Sequence, residues 1–299
     1  MSEILRLGLV GTGAVAQKGI LWHLTQTDIQ DRVRLTCVCD VAPGRARAAA
    51  EKFGVPASYE DYEEMLDKEK PDLVTITTPI GLHYEQGRMA IDRGIHVHFN
   101  KTMTTTVAEA DDLIDRAAAR KVRIVASPGM MLSPINREVR RLIKSGALGR
   151  LTWAVEGAGG GVLDFHMREP ERQGDDPLTS VDPTWYLRPP GGGPLYDRIV
   201  YCLHSLTGIL GPARRVTALS GIRIPEREYR GKKFRVEMDD NTLMLLDFGE
   251  ATFAVAGGQN CPVSPGIGWG RLAFFGSAGT IDTGRPGAGL EITSDSALG

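Results

Sequence analysis

The stretch Leu5-Arg6-Leu7-Gly8-Leu9-Val10-Gly11-Thr12-Gly13-Ala14-Val15-Ala16 decides the fold. Leu5 to Val10 reads as a strand, Ala14 to Gln26 as the helix after it, and the turn between them has the form G-x-G-x-x-A. The first glycine makes the tight turn, the second lets the backbone approach a pyrophosphate, and the small third residue permits close helix–strand packing. Phosphates bound there would face the positive end of the helix. Glycine-rich turns also arise simply to pack helices, so context matters. Here the turn lies in a first βαβ unit, and Asp40 follows at the end of a second strand, Val33 to Cys39. A carboxylate at that place accepts hydrogen bonds from ribose hydroxyls and repels a 2′-phosphate, which favours NAD over NADP. Arg45 and Arg47 keep NADP as the lesser option, and capping of the following Ala-rich helix is the structural alternative for Asp40. The expected dinucleotide contacts are Gly11, Thr12, Gly13, Ala14, Val15, Ala16 and Asp40.

Working outward, strand-like runs continue at Asp72 to Thr77, Ile95 to Phe99 and Val122 to Ala126. Helical stretches run from Gly44 to Phe53 and start again near Leu82 and Ala108. Strands alternating with helices imply βαβ units, so residues 1–127 are expected to form an α/β Rossmann domain with a doubly wound parallel sheet. The pattern changes near Gly149. Leu151 to Glu156 is β-like, and Gly157 to Gly193 is a long stretch rich in glycine, proline and charge, as in a lid, binding loop or oligomer arm. Leu195 to Leu210 is helical. Arg214 to Ile222, Thr242 to Phe248, Thr252 to Ala256, Arg271 to Phe275 and Leu290 to Thr293 then read as strands without helices between them. Residues 128–299 are therefore expected to form an α+β domain with a largely antiparallel open sheet.

A chain of 299 residues can bury ~75% of its unfolded surface without disulfide or metal staples. Thirty-five basic and 37 acidic side chains leave a net charge of −2, which excludes a nucleic-acid binder driven by phosphate attraction. At 42% hydrophobic and 24% charged residues, the chain is an ordinary globular one rather than disordered. Cys37, Cys39, Cys202 and Cys261 include no second pair at metal spacing and read as reduced core thiols. The run from Ala251 to Gly270 is broken by glycine and proline and is no membrane span. The start of the chain lacks a basic region or cleavage site, so a cytoplasmic protein is expected.

Three further motifs carry a family resemblance. They are Thr77-Thr78-Pro79-Ile80-Gly81-Leu82-His83, Gly94-Ile95-His96-Val97-His98-Phe99-Asn100-Lys101-Thr102, and the glycine cluster Gly191-Gly192-Gly193 with Asp197, Tyr201 and His204 downstream. In this order, over roughly Leu5 to Gly211, they resemble the Gfo/Idh/MocA oxidoreductases, a family that includes glucose–fructose oxidoreductase and inositol 2-dehydrogenase. The resemblance implies hydride transfer between NAD and a hydroxyl of a sugar, cyclitol or polyol. It also implies that Lys101 contacts both substrate hydroxyl and nicotinamide ribose, with Thr78, Pro79, His83 and Asn100 around the cofactor. Three departures stand out. The family usually reads Glu-Lys-Pro where this chain has Asn100-Lys101-Thr102, a histidine where it has Tyr201, and Asp or Asn where it has His204. The tyrosine resembles the glucose–fructose oxidoreductase branch. Relatives also usually carry another strand and helix after the equivalent of Leu290 to Thr293, which implies a shortened or incomplete carboxyl end. They pair their second-domain sheets, so a homodimer or homotetramer is expected through a face such as Thr242 to Phe248, where apolar residues alternate.

Such chemistry needs a base for the hydroxyl proton and a positive group for the developing alkoxide. Lys101, just past a strand's carboxyl end, suits the second role. Asp197, Tyr201 and His204 are spaced i, i+4 and i+7 and share one face of a helix, with Ile199, Val200, Leu203 and Leu206 on the remaining arc. Tyrosine, with a free pKa of about 10, acts as base only beside a cation, whereas histidine titrates near neutrality. Both remain candidates; the reading leans to Tyr201 as base and Asp197 as orienting group. His96 and His98 alternate on one strand without a third ligand, so no metal is expected. In the long loop, His166 and Arg168 are candidates for substrate contacts, with Arg172 nearby, and Trp185 and Tyr186 for stacking on a sugar ring. Two other classes fit the same residues: a glycosidase that uses bound NAD for transient oxidation and elimination, and a non-catalytic dinucleotide-binding sensor.

Overall fold

A computed structural model describes residues 4–158, 166–260, 271–284 and 290–294. The chain divides into two compact units, Met1–Ser127 with His166–Tyr186, and Pro128–Phe165 with Leu187–Gly299.

In the first unit, β1 (Leu5–Val10), β2 (Val33–Cys39), β3 (Ala57–Tyr59), β4 (Leu73–Ile76), β5 (His96–Phe99) and β6 (Ile124–Ala126) form one sheet in the order β3-β2-β1-β4-β5-β6. Every neighbouring pair is parallel. The helices are α1 (Leu21–Leu24), α2 (Arg45–Phe53), α3 (Tyr62–Glu69), α4 (His83–Asp92) and α5 (Val107–Arg120). Two of them begin on side-chain caps: Asp61 accepts from the Glu64 amide, and Thr106 with Glu109 forms a capping box. The inner strands are continuous buried runs because helices cover both faces. Val10, Val74, Ile76, Phe99 and Leu113 fill one side, and Leu7, Leu9, Leu21 and Val38 the other. The strand order reverses between β1 and β4, so the carboxyl ends there flank the crevice that ligands use in open α/β sheets.

The helix expected over Ala14 to Gln26 is shorter and wider. A π-helical turn spans Ala16–Ile20, α1 follows, and the helix stops at Thr25, whose hydroxyl bonds back to the Leu21 and Trp22 carbonyls. The Gln17 side chain is turned inward and donates to the carbonyls of Thr12 and Leu178.

That second bond reflects a larger correction. Residues 166–186, assigned by sequence to the second domain, pack in the first unit. Lys18 pairs with buried Glu169, Arg45 donates to the Pro177 carbonyl at 2.8 Å, and Val181 lies 3.6 Å from where a Cβ on Gly13 would sit. No periodicity announces such a segment, because it is held by side chains of the turn it covers.

The second unit contains α6 (Pro134–Lys144), β7 (Leu151–Ala158), α7 (Val200–Leu210), β8 (Arg215–Gly221), β9 (Glu226–Tyr229), β10 (Lys232–Arg235), β11 (Asn241–Gly249), β12 (Thr252–Gln259), β13 (Arg271–Gly276), β14 (Gly279–Asp282) and β15 (Glu291–Ser294). Seven strands form a sheet in the order β15-β14-β13-β7-β12-β11-β8, antiparallel except at the β7–β12 pair. The separate β9–β10 hairpin turns at Arg230 and Gly231, both with positive φ. Met244, Leu246, Ala254 and Phe274 meet Ile199, Cys202, Leu206 and Ile209 in the core between sheet and helix. On the other face Trp153, Leu219, Leu243, Leu245 and Phe253 are exposed, and Trp153 stacks on Phe275. Cys37, Cys39 and Cys202 are buried free thiols; burial pushes Cys37 up to about 11 and Cys39 to about 12. Cys261 lies outside the described residues.

Candidate active site

The turn after β1 has the geometry its glycines predict. Gly11 has φ +90°, and a Cβ there would lie 2.8 Å from the backbone of Thr77 and Thr78, so only glycine lets the two strand ends approach. Ala14 and Ala16 are buried in the packing of the first turn, while Val15 is exposed. Val41, just after Asp40, and Leu82, just after β4, are exposed as well. Large apolar side chains left open beside a glycine cradle at the carboxyl ends of β1, β2 and β4 fit an adenine and nicotinamide dinucleotide.

Asp40 is buried, and its carboxylate is fully used. One oxygen accepts from the Thr12 amide at 2.9 Å and its hydroxyl at 3.2 Å; the other accepts from the Ala42 amide and meets Arg45 at 3.3 Å. Asp40 thus ties the glycine turn to the start of α2 and holds Arg45 beside the expected ribose position. Sequence reasoning singled out Asp40 and raised Arg45, but missed that Thr12 and Arg45 share the carboxylate.

Thr78 and Pro79 are half-buried at the end of β4, and the Thr78 hydroxyl donates to Gln86. His83, expected beside the cofactor, is fully buried. Its ring nitrogens lie 2.9 Å from the Thr78 carbonyl and 2.8 Å from the Thr102 carbonyl. Burial outweighs those two bonds and lowers its pKa. The neutral ring donates to one of the two carbonyls, and with its nitrogens turned to Thr78 and Thr102 His83 bridges the ends of β4 and β5. Lys101 follows β5 directly, half-buried, and its amide donates to the Asn100 side chain. Lys101 thus stands two residues past the carboxyl end of a parallel strand, the side of an open α/β sheet at which ligands bind.

His98 bonds to the Ser127 hydroxyl and His96 accepts from the Arg123 amide. Among the described residues no group of three His, Cys, Asp or Glu side chains is placed to hold a metal, and no helix is long and apolar enough to cross a membrane.

In the second unit, the glycine cluster leads into the helix that bears Asp197, Tyr201 and His204. Gly193 has φ +77°, and a Cβ there would meet the Asp239 carbonyl at 2.6 Å. The helix is not uniform. Leu195–Ile199 is a π-helical turn and α7 begins at Val200, so Asp197 sits on a wider turn than the i, i+4, i+7 face assumed. Asp197 is buried with Arg198 at 3.4 Å; Tyr201 and His204 are half-buried on α7. Burial lowers the His204 pKa, and its Nδ1 accepts a 2.9 Å hydrogen bond from the Met130 amide.

The loop candidates separate from one another. His166 lies 3.3 Å from Glu169 and 4.4 Å, ring to ring, from Tyr186. Tyr186 is buried, which removes it from the substrate candidates: its ring anchors the segment instead. Trp185 is half-buried, edge-on to Tyr186, and Arg168 is exposed. All four lie in the first unit, not with Tyr201 and His204.

Comparison with known proteins accords with this geometry. Residues 5–127 match an oxidoreductase family with an NAD-binding Rossmann fold, and residues 136–282 match the GFO/IDH/MocA C-terminal domain. The chain is 31% identical to D-glucoside 3-dehydrogenase of Escherichia coli over 50% of its own length and 42% of that protein. It is 25% identical to a NADP-dependent D-xylose 1-dehydrogenase of Haloferax volcanii over 72% of its length and 60% of that protein. The chain thus spans about half the length of the curated relatives it matches. Levoglucosan dehydrogenase, solved with NADH and L-sorbose, superposes with a TM-score of 0.79 at 20% identity, covering 99% of this chain and 78% of that one. The WlbA dehydrogenase of Bordetella pertussis gives 0.78 at 19% identity, over 98% and 84%. At these identities the structural likeness establishes the fold. With family matches over both units, the chain belongs to the Gfo/Idh/MocA oxidoreductase family.

Proposed function

We propose that this chain is an NAD-dependent oxidoreductase that moves a hydride between a hydroxyl-bearing carbon of a sugar, cyclitol or polyol and the nicotinamide. The observation that carries the reading is Lys101, retained at the carboxyl end of β5 in a sheet whose β1 turn forms a dinucleotide cradle. NAD, when bound, supplies the hydride acceptor. Lys101 supplies positive charge for the alkoxide as the hydroxyl proton leaves. Tyr201 takes that proton, and Asp197 orients the substrate. The backbone of Gly11 to Ala16 and the side chains of Val15, Val41 and Leu82 hold the dinucleotide. NAD is preferred to NADP because Asp40 both opposes a 2′-phosphate and occupies Arg45. The sugar-acting relatives in both comparisons support the substrate class. The apolar outer face of the second sheet pairs with a second copy in a homodimer or homotetramer. The three buried thiols suit a reducing compartment such as the cytoplasm.

The test is a panel of hexoses, inositols, sugar acids and aryl glycosides with NAD, following NADH and substrate separately. Substrate loss matched by NADH is expected. Aglycone release without NADH would replace the reading by a redox-assisted glycosidase, and NAD binding without turnover of any substrate would leave a dinucleotide-binding sensor.

A further inference from the structure

Behind His204 lies a chain of polar groups that the reading above does not use. The strand β7 turns Glu156 into the apolar core, where it is 2% exposed. Its side chain lies against the Ser205 hydroxyl, and burial pushes its pKa well above the ordinary carboxylate value. Ser205 has one proton, and it is committed: the hydroxyl donates to the Tyr201 carbonyl at 3.1 Å. The same oxygen accepts from Asn136 at 3.5 Å. A serine oxygen has two acceptor positions, so one remains open to the neutral acid form of Glu156, the form that burial favours and the one able to donate. Asn136 also donates to the Met130 carbonyl at 3.0 Å, and the next residue on α6, Arg137, donates to the Met131 carbonyl. The short turn Met130–Leu132 is therefore held by its carbonyls, with the Met130 amide aimed at Nδ1 of His204.

A backbone N–H can only donate. Nδ1 must therefore present its lone pair, and the proton of neutral His204 resides on Nε2. We propose that Glu156, Ser205 and Asn136 are positioning residues that lock His204 as the Nε2–H tautomer, so that His204 serves the reaction as a hydrogen-bond donor to the substrate and not as its base. This rests on the reading that α7 carries the groups that meet the reacting hydroxyl, and it leaves the base role to Tyr201. A donor at Nε2 stabilises negative charge on a substrate oxygen without accepting the proton.

The experiment is nitrogen NMR on protein labelled at histidine, without substrate, with the His204 signals assigned by their loss in His204→Gln. The expected wild-type pattern near neutral pH is an unprotonated Nδ1 and a protonated Nε2. A protonated Nδ1 overturns the proposal. Asn136→Leu removes the donor to Met130 and is expected to mix the tautomers and lower kcat roughly ten- to a hundredfold at near-constant KM. Glu156→Gln, whose amide can still donate to Ser205, should keep the wild-type tautomer and kcat, whereas Glu156→Leu should behave as Asn136→Leu does. If both leucine variants fold and leave the His204 signals unchanged, the positioning role is overturned. The tautomer is read without turnover, so a silent substrate panel would sink the oxidoreductase reading while leaving this measurement to stand or fall separately.

Discussion

Lys101 and Asp40 show how differently two polar side chains past the carboxyl ends of one sheet's strands are placed. Lys101 is half-buried at the end of β5, whereas every acceptor position of Asp40 is taken by Thr12, Ala42 and Arg45. Lys101→Ala is therefore expected to lower kcat by at least about a hundredfold. NAD affinity, measured by nucleotide fluorescence titration, should change little; full turnover in that variant would remove Lys101 from the reaction. Asp40→Ala acts in the opposite sense. It releases Arg45 toward a 2′-phosphate, so the ratio of kcat/KM for NAD over NADP should fall about tenfold, roughly 1.4 kcal/mol. An unchanged ratio would reduce Asp40 to a tie between the glycine turn and α2.

The segment 166–186 acts as an element without regular secondary structure. Its anchor is Glu169. Burial works against its charge, but hydrogen bonds from His166, Lys18 and Arg172 outweigh burial and hold the carboxyl well below the ordinary carboxylate range. A group whose folded pKa is depressed contributes stability above its unfolded pKa, about 4.3 for glutamate, and loses it as pH falls through the folded value. Proteolytic cutting within 166–186 should thus be slow at neutral pH and rise in acid. Glu169→Gln leaves Arg172 and Lys18 facing a neutral group and should destabilise the unit by about 3 kcal/mol in denaturant unfolding. An unshifted midpoint would show that apolar contacts such as Val181 hold the segment by themselves.

At the scale of the molecule, the open question is what the outer face of the second sheet meets. Leu243 and Leu245 are each more than half exposed on β11, between the buried Thr242, Met244 and Leu246. Replacing both by glutamate adds charge to that face without touching the core behind it. The wild type is expected to sediment as a dimer or tetramer at micromolar concentration and the double variant as a monomer with unchanged unfolding. A wild type that sediments as a monomer would refute the pairing.

Much of this was legible in the chain of residues because it depends on short spacings. The turn from Gly11 to Ala16, most of the alternation of strands and helices up to Ala126, and the strands of the second sheet other than β14 carry their own periodicity, whereas the short β3 and β14 and helix α3 lie outside that reading. Asp40, Lys101 and the stripe on α7 could be placed for the same reason, since a residue's place at a strand end or on a helix face is a local property. What tertiary structure decided was the partner of each polar group. Residues 166–186 belong to the first unit because Lys18, Gln17 and Arg45 reach them, which no window of sequence contains. His83 and Tyr186 are withdrawn from the candidate contacts by burial. The Leu195–Ile199 turn is π-helical, and so a stripe inferred from ideal helical spacing shifts at Asp197. The tautomer of His204 depends on an amide from a turn more than sixty residues away, because a hydrogen bond is set by distance in space. Sequence periodicity records which face of an element is apolar; only the folded chain settles which donor meets which acceptor.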